Sequence, residues 1–236
     1  MSLEILPTRM AGAAENMAID FLLLQRYPDG GVPRFRHYGW RAPAFTFGYG
    51  QKIAFVREQL PAGETFDLCR RPTGGGIVDH RDDWTYALVI PRGHALEELR
   101  ATFSYRAVHE ALAEALRSLG VAAMLKPAAD IEEEPGLGVC FQRTEIHDVV
   151  HSQTGVKIAG AAQKRNKHGL LFQGSIARAA ISNAGFEWDE FEERFATALT
   201  AALGQEKANV AWPELHEDEV SGLTERYASA EWIEYR

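Results

Sequence analysis

The hydrophobic and polar positions of the first part of the chain predict one helix followed by several strands. Residues 14–27 carry apolar side chains at helical spacing, and the Pro-Asp-Gly-Gly sequence at 28–31 ends this segment, because proline and glycine stop a helix. Strand-like runs rich in aromatic and β-branched residues follow at 34–38, 44–50, 66–70 and 84–90. Gly, Pro and Asp separate these runs, which predicts a meander of mainly antiparallel strands.

The second part of the chain returns to helical periodicity. Residues 96–120 form the longest helical pattern, and Gly120 stands where a helix commonly ends. Strands are predicted at 145–150, 155–161 and 169–176, a hairpin turn at 153–155, and helices at 187–203 and 216–227. Strands and helices interleave without regular βαβ alternation, so the predicted fold class is α+β, a mainly antiparallel or mixed sheet packed with helices. We expect one domain over residues 1–205 and a short C-terminal helical appendage over 206–236.

Composition and charge exclude several classes of function. The 236 residues carry a formal net charge of −8, which argues against a large basic face for nucleic acid. The first twenty residues lack a basic segment followed by an apolar run, and no stretch of about 18 apolar residues occurs. We therefore expect a cytoplasmic protein with no membrane partner. The two cysteines and eight histidines show no disulfide or metal-ligand spacing, so no metal is predicted.

A glycine-rich segment is the first candidate for chemistry. The sequence Arg-Arg-Pro-Thr-Gly-Gly-Gly at 70–76 ends one strand, and His80 follows before the next. Glycines let a backbone approach a ligand where a Cβ would collide with it. On composition alone an ordinary turn is the better interpretation. The segment is no nucleotide-hydrolase phosphate loop, because no Gly-Lys-Ser or Gly-Lys-Thr follows.

One lysine and two cysteines are ambiguous from the residues alone. Lys157 stands in the small, apolar strand Gly-Val-Lys-Ile-Ala-Gly-Ala-Ala-Gln at 155–163. It is either an edge-strand residue that reaches water or a cation held in a pocket, and the edge is favoured without other information. Isolated cysteines are mostly buried small hydrophobes. This interpretation is favoured for Cys140 and is retained for Cys69, which we expect to pack within the sheet.

Several short motifs occur together and in a recognisable order. They are Asn-Met-Ala-Ile-Asp at 16–20, His-Tyr-Gly-Trp at 37–40, Phe-Gly-Tyr-Gly-Gln-Lys at 47–52, the glycine-rich segment with His80, Lys-Ile-Ala-Gly-Ala-Ala-Gln at 157–163 and Gln-Gly-Ser-Ile at 173–176. In this order and spacing they resemble the lipoate-protein ligase and octanoyltransferase family, whose catalytic domain is shared with biotin-protein ligases. The resemblance implies that fold, with an acyl tunnel lined by the glycine-rich loop and the lysine strand. It also implies substrate-binding roles for Arg71, Thr73, Gly74, Gly75, Gly76, His80, Gly160 and Ala161, and a catalytic role for Lys157.

The segment before the lysine strand resembles one branch of this family. Gly-Val-Cys-Phe at 138–141 is similar to the cysteine-dependent octanoyltransferases that use octanoyl-acyl carrier protein. This resemblance implies that Cys140 is the nucleophile, and that an octanoyl or lipoyl group moves from a thioester to a lysine of a lipoyl carrier domain. The implied partners are a 2-oxoacid dehydrogenase E2 or the glycine cleavage H protein, with acyl carrier protein as a further candidate. No cofactor is implied.

Two other functions remain open from the sequence. The first is an ATP-dependent lipoate-protein ligase without its accessory domain, which would use ATP and magnesium. In its favour, Gly76 resembles the ligase loop, whereas the closest transferases tend to have arginine there. Arg81 and Gln173 also depart from the family, which usually has Asp and His at these positions. The second alternative is a non-catalytic lipoate-binding or scaffold protein.

Overall fold

A computed structural model describes residues 2–25, 31–127, 144–181, 183 and 185–235. The strands within these residues are β1 (Ser2–Ala11), β2 (Arg34–Trp40), β3 (Ala44–Phe47), β4 (Asp67–Arg70), β5 (Ile77–Asp79), β6 (Asp83–Pro91), β7 (Ala123–Leu125), β8 (Val149–His151), β9 (Lys157–Asn166), β10 (Gly169–Ala177) and β11 (Glu206–Asn209). The helices are α1 (Ala13–Gln25), α2 (Ile53–Gln59), α3 (Ala95–Glu98), α4 (Ala101–Ser118), α5 (Trp188–Leu203), α6 (Glu217–Ala228) and α7 (Ala230–Ile233). This interleaving agrees with the predicted α+β class.

The strands form one large and one small sheet. The large sheet has the order β11-β1-β2-β6-β10-β9-β8-β7, and the small sheet has the order β4-β3-β5. Strands β2, β6, β10, β9, β8 and β7 pair antiparallel, whereas β1 pairs in parallel with both β2 and β11. The sheet is therefore mixed. The predicted meander over residues 34–90 is wrong, because β2 pairs with β6 in the large sheet, whereas β3 and β4 lie in the small sheet and pair in parallel.

The two central strands are buried on both faces. Trp84, Tyr86 and Leu88 of β6 belong to the core formed with α4 and α5. Ala87 and Val89, which alternate with them, belong to the core formed with α1 and α6. Because successive side chains of a strand point to opposite faces, a strand covered on both sides has a continuous apolar sequence. This explains why β6 and β10 were readily predicted.

Several short elements, α2, β5, β7, β11 and α7, were not predicted from the sequence, and three further differences have a clear local cause. The helix predicted over 96–120 is interrupted, because Leu99 and Arg100 have extended ψ angles of 152° and 148°. The strand predicted over 145–150 begins only at Val149. Residues 145–148 form a turn instead, because His147 has a φ of 69° and the N–H of Glu145 donates to the Asp148 carboxylate. Strand β1 was missed altogether. The alternation of buried and exposed side chains along β1 is interrupted by a register shift between Leu6 and Arg9.

The C-terminal residues make contacts with the main sheet. Strand β11 pairs with β1 from Ser2 to Ile5, and the core on the α1 side includes Tyr227 of α6. The division into residues 1–205 and a C-terminal appendage stays a prediction. Within the described part of the chain, no helix is long and apolar enough to cross a membrane.

Candidate functional site

A small cavity of about 30 Å³ lies between α1 and the ends of the central strands. Its walls are formed by Met17, Tyr38, Trp40, Thr46, Arg71, Gly75, Val78, His80, Thr85, Gly160, Ala161, Ala162, Gln173, Gly174 and Ser175. Five residues predicted from the sequence are among them, namely Arg71, Gly75, His80, Gly160 and Ala161. Thr73, Gly74 and Gly76 are not among the lining residues, but each is hydrogen-bonded to one of them, Thr73 to Gln173 and the two glycine carbonyls to Arg71.

The glycine-rich segment is folded around the side chain of Arg71. The buried guanidinium donates to the carbonyl oxygens of Gly74 at 2.9 Å and Gly76 at 2.8 Å. Gly75 has a φ of 88°, which glycine adopts without strain. A Cβ on Gly48 would lie 2.0 Å from the carbonyl oxygen of Gly75, so glycine at position 48 allows the end of β3 to lie against the loop.

Both ring nitrogens of His80 are hydrogen-bonded. Nδ1 lies 2.7 Å from Oδ2 of Asp83, and Nε2 lies 2.7 Å from Oγ1 of Thr46. The indole of Trp40 stacks on the imidazole with the ring centroids 4.0 Å apart. Asp83 thus provides the carboxylate that appeared to be missing after the loop histidine. The side chain of Arg81 instead pairs with carboxylates on the surface.

Gln173 connects the cavity to a buried ion pair. Its Nε2 donates to Oδ2 of Asp20 at 2.7 Å, and its Oε1 accepts a hydrogen bond from Thr73 Oγ1 at 2.7 Å. Arg36 forms an ion pair with Asp20 at 2.6 Å. Burial raises the pKa of the Asp20 carboxyl, while Arg36, Gln173 and Tyr38 oppose that rise. Gln173 therefore makes specific bonds at the position where the family usually has histidine.

Lys157 is an interior residue. Strand β9 lies between β10 and β8, and Lys157 is only 6% exposed, so the edge-strand interpretation is wrong. Its Nζ lies 2.7 Å from Oδ2 of Asp148. A Cβ on Gly160 would lie 2.8 Å from that Nζ. Since Gly160 lines the cavity, the ammonium group lies directly beside the cavity wall.

Of the two cysteines, the structure describes only Cys69. Cys69 is buried in β4, and burial raises the pKa of its thiol to about 12, which confirms the prediction that it packs within the sheet. Cys140 lies outside the described residues. On either side of the segment that contains it, Lys126 Nζ donates to the carbonyl oxygen of Thr144 at 2.9 Å, so the two described ends lie close together.

Several residues at or beside the cavity were not singled out from the sequence. They are Met17, Tyr38, Trp40, Thr46, Asp83, Tyr105, Asp148 and Ser175. Three motifs contained the signal for some of them, since Met17 belongs to Asn-Met-Ala-Ile-Asp, Tyr38 and Trp40 to His-Tyr-Gly-Trp, and Ser175 to Gln-Gly-Ser-Ile. Asp148 and Tyr105 had no such signal, because their relation to Lys157 depends on the packing of α4 against the sheet.

The fold is that of a lipoate-ligase-type catalytic domain. Residues 12–180 match the family described as the lipoyl protein ligase A/B catalytic domain, and the chain belongs to that family.

Two curated relatives and one solved structure illustrate the similarity. Octanoyltransferase LipM of Halalkalibacterium halodurans is 33% identical over 170 residues, which cover 69% of this chain and 61% of that protein. This alignment therefore spans about three fifths of the relative's length. Octanoyltransferase LipM of Macrococcus caseolyticus is 29% identical over 94% of both chains. The bi-partite lipoate protein ligase of Thermoplasma acidophilum superposes with a TM-score of 0.74 at 20% identity, covering 100% of this chain and 98% of that one, which is a similarity of fold.

Proposed function

We propose that this chain is an octanoyltransferase that moves an octanoyl group from an acyl thioester to a lysine of a lipoyl carrier domain, through a thioester on Cys140. The observation that carries the proposal is the buried ammonium group of Lys157 beside a cavity bounded by the glycine-rich loop. The curated relatives named octanoyltransferase support the choice of reaction. E2 and H proteins are the expected carriers, and no cofactor takes part in this route.

The proposed reaction has two balanced steps. The Cys140 thiolate attacks the carbonyl carbon of the donor thioester, and the donor leaves as a thiolate that takes up a proton. The ε-amine of the carrier lysine then attacks the new thioester, the C–S bond breaks, and the amine proton is released as the Cys140 thiolate is restored. Covalent catalysis of this kind divides one difficult step into two easier ones.

Lys157 is assigned an electrostatic role in both steps. An ammonium group near a cysteine raises the thiolate fraction of a thiol whose ordinary pKa is about 8.5. The same group donates a hydrogen bond to the oxyanion that forms at the acyl carbonyl, and loss of one such donor typically costs about 3–4 kcal/mol. Cys140 is close enough along the chain to reach Lys157. The backbone nitrogen of Glu145 lies 2.7 Å from the carboxylate that pairs with Lys157, and the five-residue separation from Cys140 to Glu145 can span up to about 18 Å.

The cavity must enlarge to accept an acyl chain. Its volume of about 30 Å³ is room for only a water or two. Met17 lines it, and an unbranched methionine side chain changes rotamer readily. Each methylene that becomes buried contributes about 0.8 kcal/mol, so discrimination of chain length would come from the apolar part of the wall.

The donor requirement tests this proposal. A purified lipoyl domain is incubated with the protein and octanoyl-acyl carrier protein, or with octanoate, ATP and magnesium, and acylation is followed by mass spectrometry. We expect transfer from the thioester without ATP. We also expect a hydroxylamine-labile acyl group on the peptide containing Cys140 when the acceptor is omitted.

Three variants complete this test. Cys140→Ala should lose both the adduct and the transfer, and Lys157→Ala should lower transfer by about 10²- to 10³-fold. Cys69→Ala is the matched control, because this thiol is buried in β4 with its Sγ directed to the carbonyl oxygens of Arg70 and Tyr227. Transfer by Cys140→Ala at the wild-type rate would disprove the covalent route.

An ATP-dependent ligase is the second candidate. The observation that favours it is the third glycine of the loop, Gly76, whose carbonyl is held by Arg71. Among the described residues, no group of three or more His, Cys, Asp and Glu side chains is arranged to hold a metal ion, so magnesium would enter together with the nucleotide. Acylation that requires octanoate, ATP and magnesium would establish the ligase. Binding of the acyl group or carrier without acylation in either arm would identify a scaffold.

A further inference from the structure

A hydrogen-bonded chain behind the cavity links Lys157 to helix α4. Asp148 is fully buried, and its Oδ2 lies 2.7 Å from Lys157 Nζ. Its other carboxylate oxygen, Oδ1, accepts a hydrogen bond of 2.5 Å from the hydroxyl of Tyr105. The Tyr105 oxygen in turn accepts the N–H of Ala161 at 3.0 Å. The carboxylate is therefore fixed on one side by α4 and β9, and its position determines where the ammonium lies.

The backbone fixes the second oxygen of the same carboxylate. The N–H of Glu145 donates to Oδ2 of Asp148 at 2.7 Å. The ring of Tyr105 packs against that of His109 with centroids 4.0 Å apart, and His109 Nδ1 lies 2.7 Å from the carbonyl oxygen of His147. Consequently, the tyrosine that holds the carboxylate is itself held by a buried ring.

From this geometry we propose that Asp148 and Tyr105 are positioning residues, which hold the Lys157 ammonium against Gly160 and aim it at the acyl carbonyl. The proposal rests on the catalytic role of Lys157 proposed above. Neither residue is assigned to contact the acyl group. Tyr105 acts through Asp148, and Asp148 acts through Lys157.

Stability alone is a weak reason for this arrangement. A buried ion pair pays a desolvation cost that often equals its Coulombic gain, and apolar residues of similar volume would stabilise a core as well. A reaction, however, is sensitive to the position of a charge, since a displacement of 1 Å can lower a rate about 10²-fold. The ion pair together with its tyrosine thus fits a requirement for accurate placement.

Kinetics of three variants test the proposal in the full-length protein. Asp148→Asn should lower kcat for transfer about 10²-fold, with KM for the carrier domain unchanged. Tyr105→Phe, which keeps the ring and the ion pair, should lower kcat about 10-fold. Glu4→Gln is the matched control, because Glu4 on β1 forms a partly buried ion pair of 2.7 Å with Arg34 on β2, and β6 and β10 separate these strands from β9. The kcat of this variant should be that of wild type.

The dependence of kcat on pH separates positioning from a general loss of structure. The titratable groups around Lys157 in the described residues are Asp148 and His147 before β8, Tyr105 and His109 on α4, and Tyr86 on β6. Burial lowers the pKa of His109 to about 4 and raises that of Tyr86, which keeps both groups away from the mildly alkaline range. Without its carboxylate partner, a buried ammonium loses its proton more readily. The alkaline limb of Asp148→Asn should therefore move to lower pH, whereas a structural defect would lower kcat equally at every pH.

Two results would overturn the proposal. One is a natively folded Asp148→Asn protein with wild-type kcat and pH profile. The other is Tyr105→Phe with wild-type kcat, which decides the matter if Asp148→Asn fails to fold. Wild-type activity in Lys157→Ala would instead refute the proposed role of the lysine, so the two failures are distinguishable.

Discussion

Gly174 of β10 faces the ring of Tyr86 on the neighbouring strand. A Cβ on Gly174 would lie 2.1 Å from Cε1 of this buried tyrosine, whose ring also packs near Phe195 at a centroid distance of 5.2 Å. The ring cannot withdraw from such a core without disturbing its neighbours. We expect Gly174→Ala to reduce the free energy of unfolding by about 1–3 kcal/mol, as overpacked cores do. Urea denaturation measures this effect.

Gly222 provides the matched control for this substitution. It lies within α6, and nothing stands within 4 Å of the position where its Cβ would be placed. Alanine is favoured over glycine inside a helix by up to about 1 kcal/mol, so Gly222→Ala should stabilise the protein. A Gly174→Ala protein as stable as wild type would show that the core accommodates the methyl group.

The buried imidazole of His109 makes stability depend on pH. Burial, assisted by the charge of Lys157, lowers its pKa to about 4, although Asp148 and the His147 carbonyl oppose this. In the unfolded chain the pKa is about 6.5. Between these values the unfolded chain binds a proton that the native protein does not bind. Stability therefore falls as the pH decreases from about 6.5 to about 4, by a total of about 3 kcal/mol from this residue.

Substitution of His109 tests this linkage. His109→Asn cannot titrate in this range, so its stability should fall less steeply with decreasing pH, by up to about 1.4 kcal/mol per pH unit. Urea denaturation of both proteins at several values between pH 4.5 and 7 gives the two slopes. His37, whose pKa burial also lowers to about 4, is present in both proteins and contributes equally. Identical slopes would contradict the assignment.

At the scale of elements, α7 is fixed to the glycine-rich region by Arg70. This fully buried guanidinium donates to the carbonyl oxygens of Trp232 at 3.0 Å and Ile233 at 2.7 Å, and to those of Tyr49 at 2.8 Å and Gln51 at 2.7 Å. Arg70→Met would leave these four carbonyl oxygens, which lie in buried or partly buried hydrogen bonds, without their donor. A buried polar group without a partner costs about 1–3 kcal/mol, so we expect a loss of about 3 kcal/mol or more.

Hydrogen exchange should locate the effect of Arg70→Met in two segments. The amides of α7 and of residues 48–51 should exchange faster than in wild type, because Arg70 contacts both. Arg57→Met is the control, since its ion pair of 2.7 Å with Glu234 is exposed and such pairs contribute about 1 kcal/mol or less. If both variants lost the same stability, the hydrogen bonds of Arg70 would contribute no more to stability than an exposed ion pair does.

For the molecule as a whole, the strands most readily predicted from the sequence are those that are buried on both faces. Strands β6 and β10 are covered on both faces, so their composition alone reveals them. Strand β1 combines six buried or half-buried positions with four exposed ones, so its pattern fits neither a fully buried strand nor one with a single buried face. The break at Leu99 is equally invisible, because the flanking residues are good helix formers.

The candidate site is predictable where it follows from local motifs. The glycine-rich loop and His80 were found because glycines and histidines are conspicuous in sequence. The hydrogen bonds between distant parts of the chain were not found. Thr73 and Gln173 are 100 residues apart, and Tyr105 and Asp148 are 43 apart. Such pairs are created only when α4 and the strands come together. A single sequence contains no measure of that proximity.

The parallel pairing of β1 with β11 has a consequence for biosynthesis. Ser2 lies opposite Glu206, so during synthesis β1 acquires one of its two neighbours only after about 200 further residues have been added. At about 5–20 residues per second, β1 remains without that neighbour for roughly 10–40 s of translation. During this interval an unpaired strand edge is open to unwanted pairing with other chains, so the risk of aggregation is greatest before β11 has been synthesised.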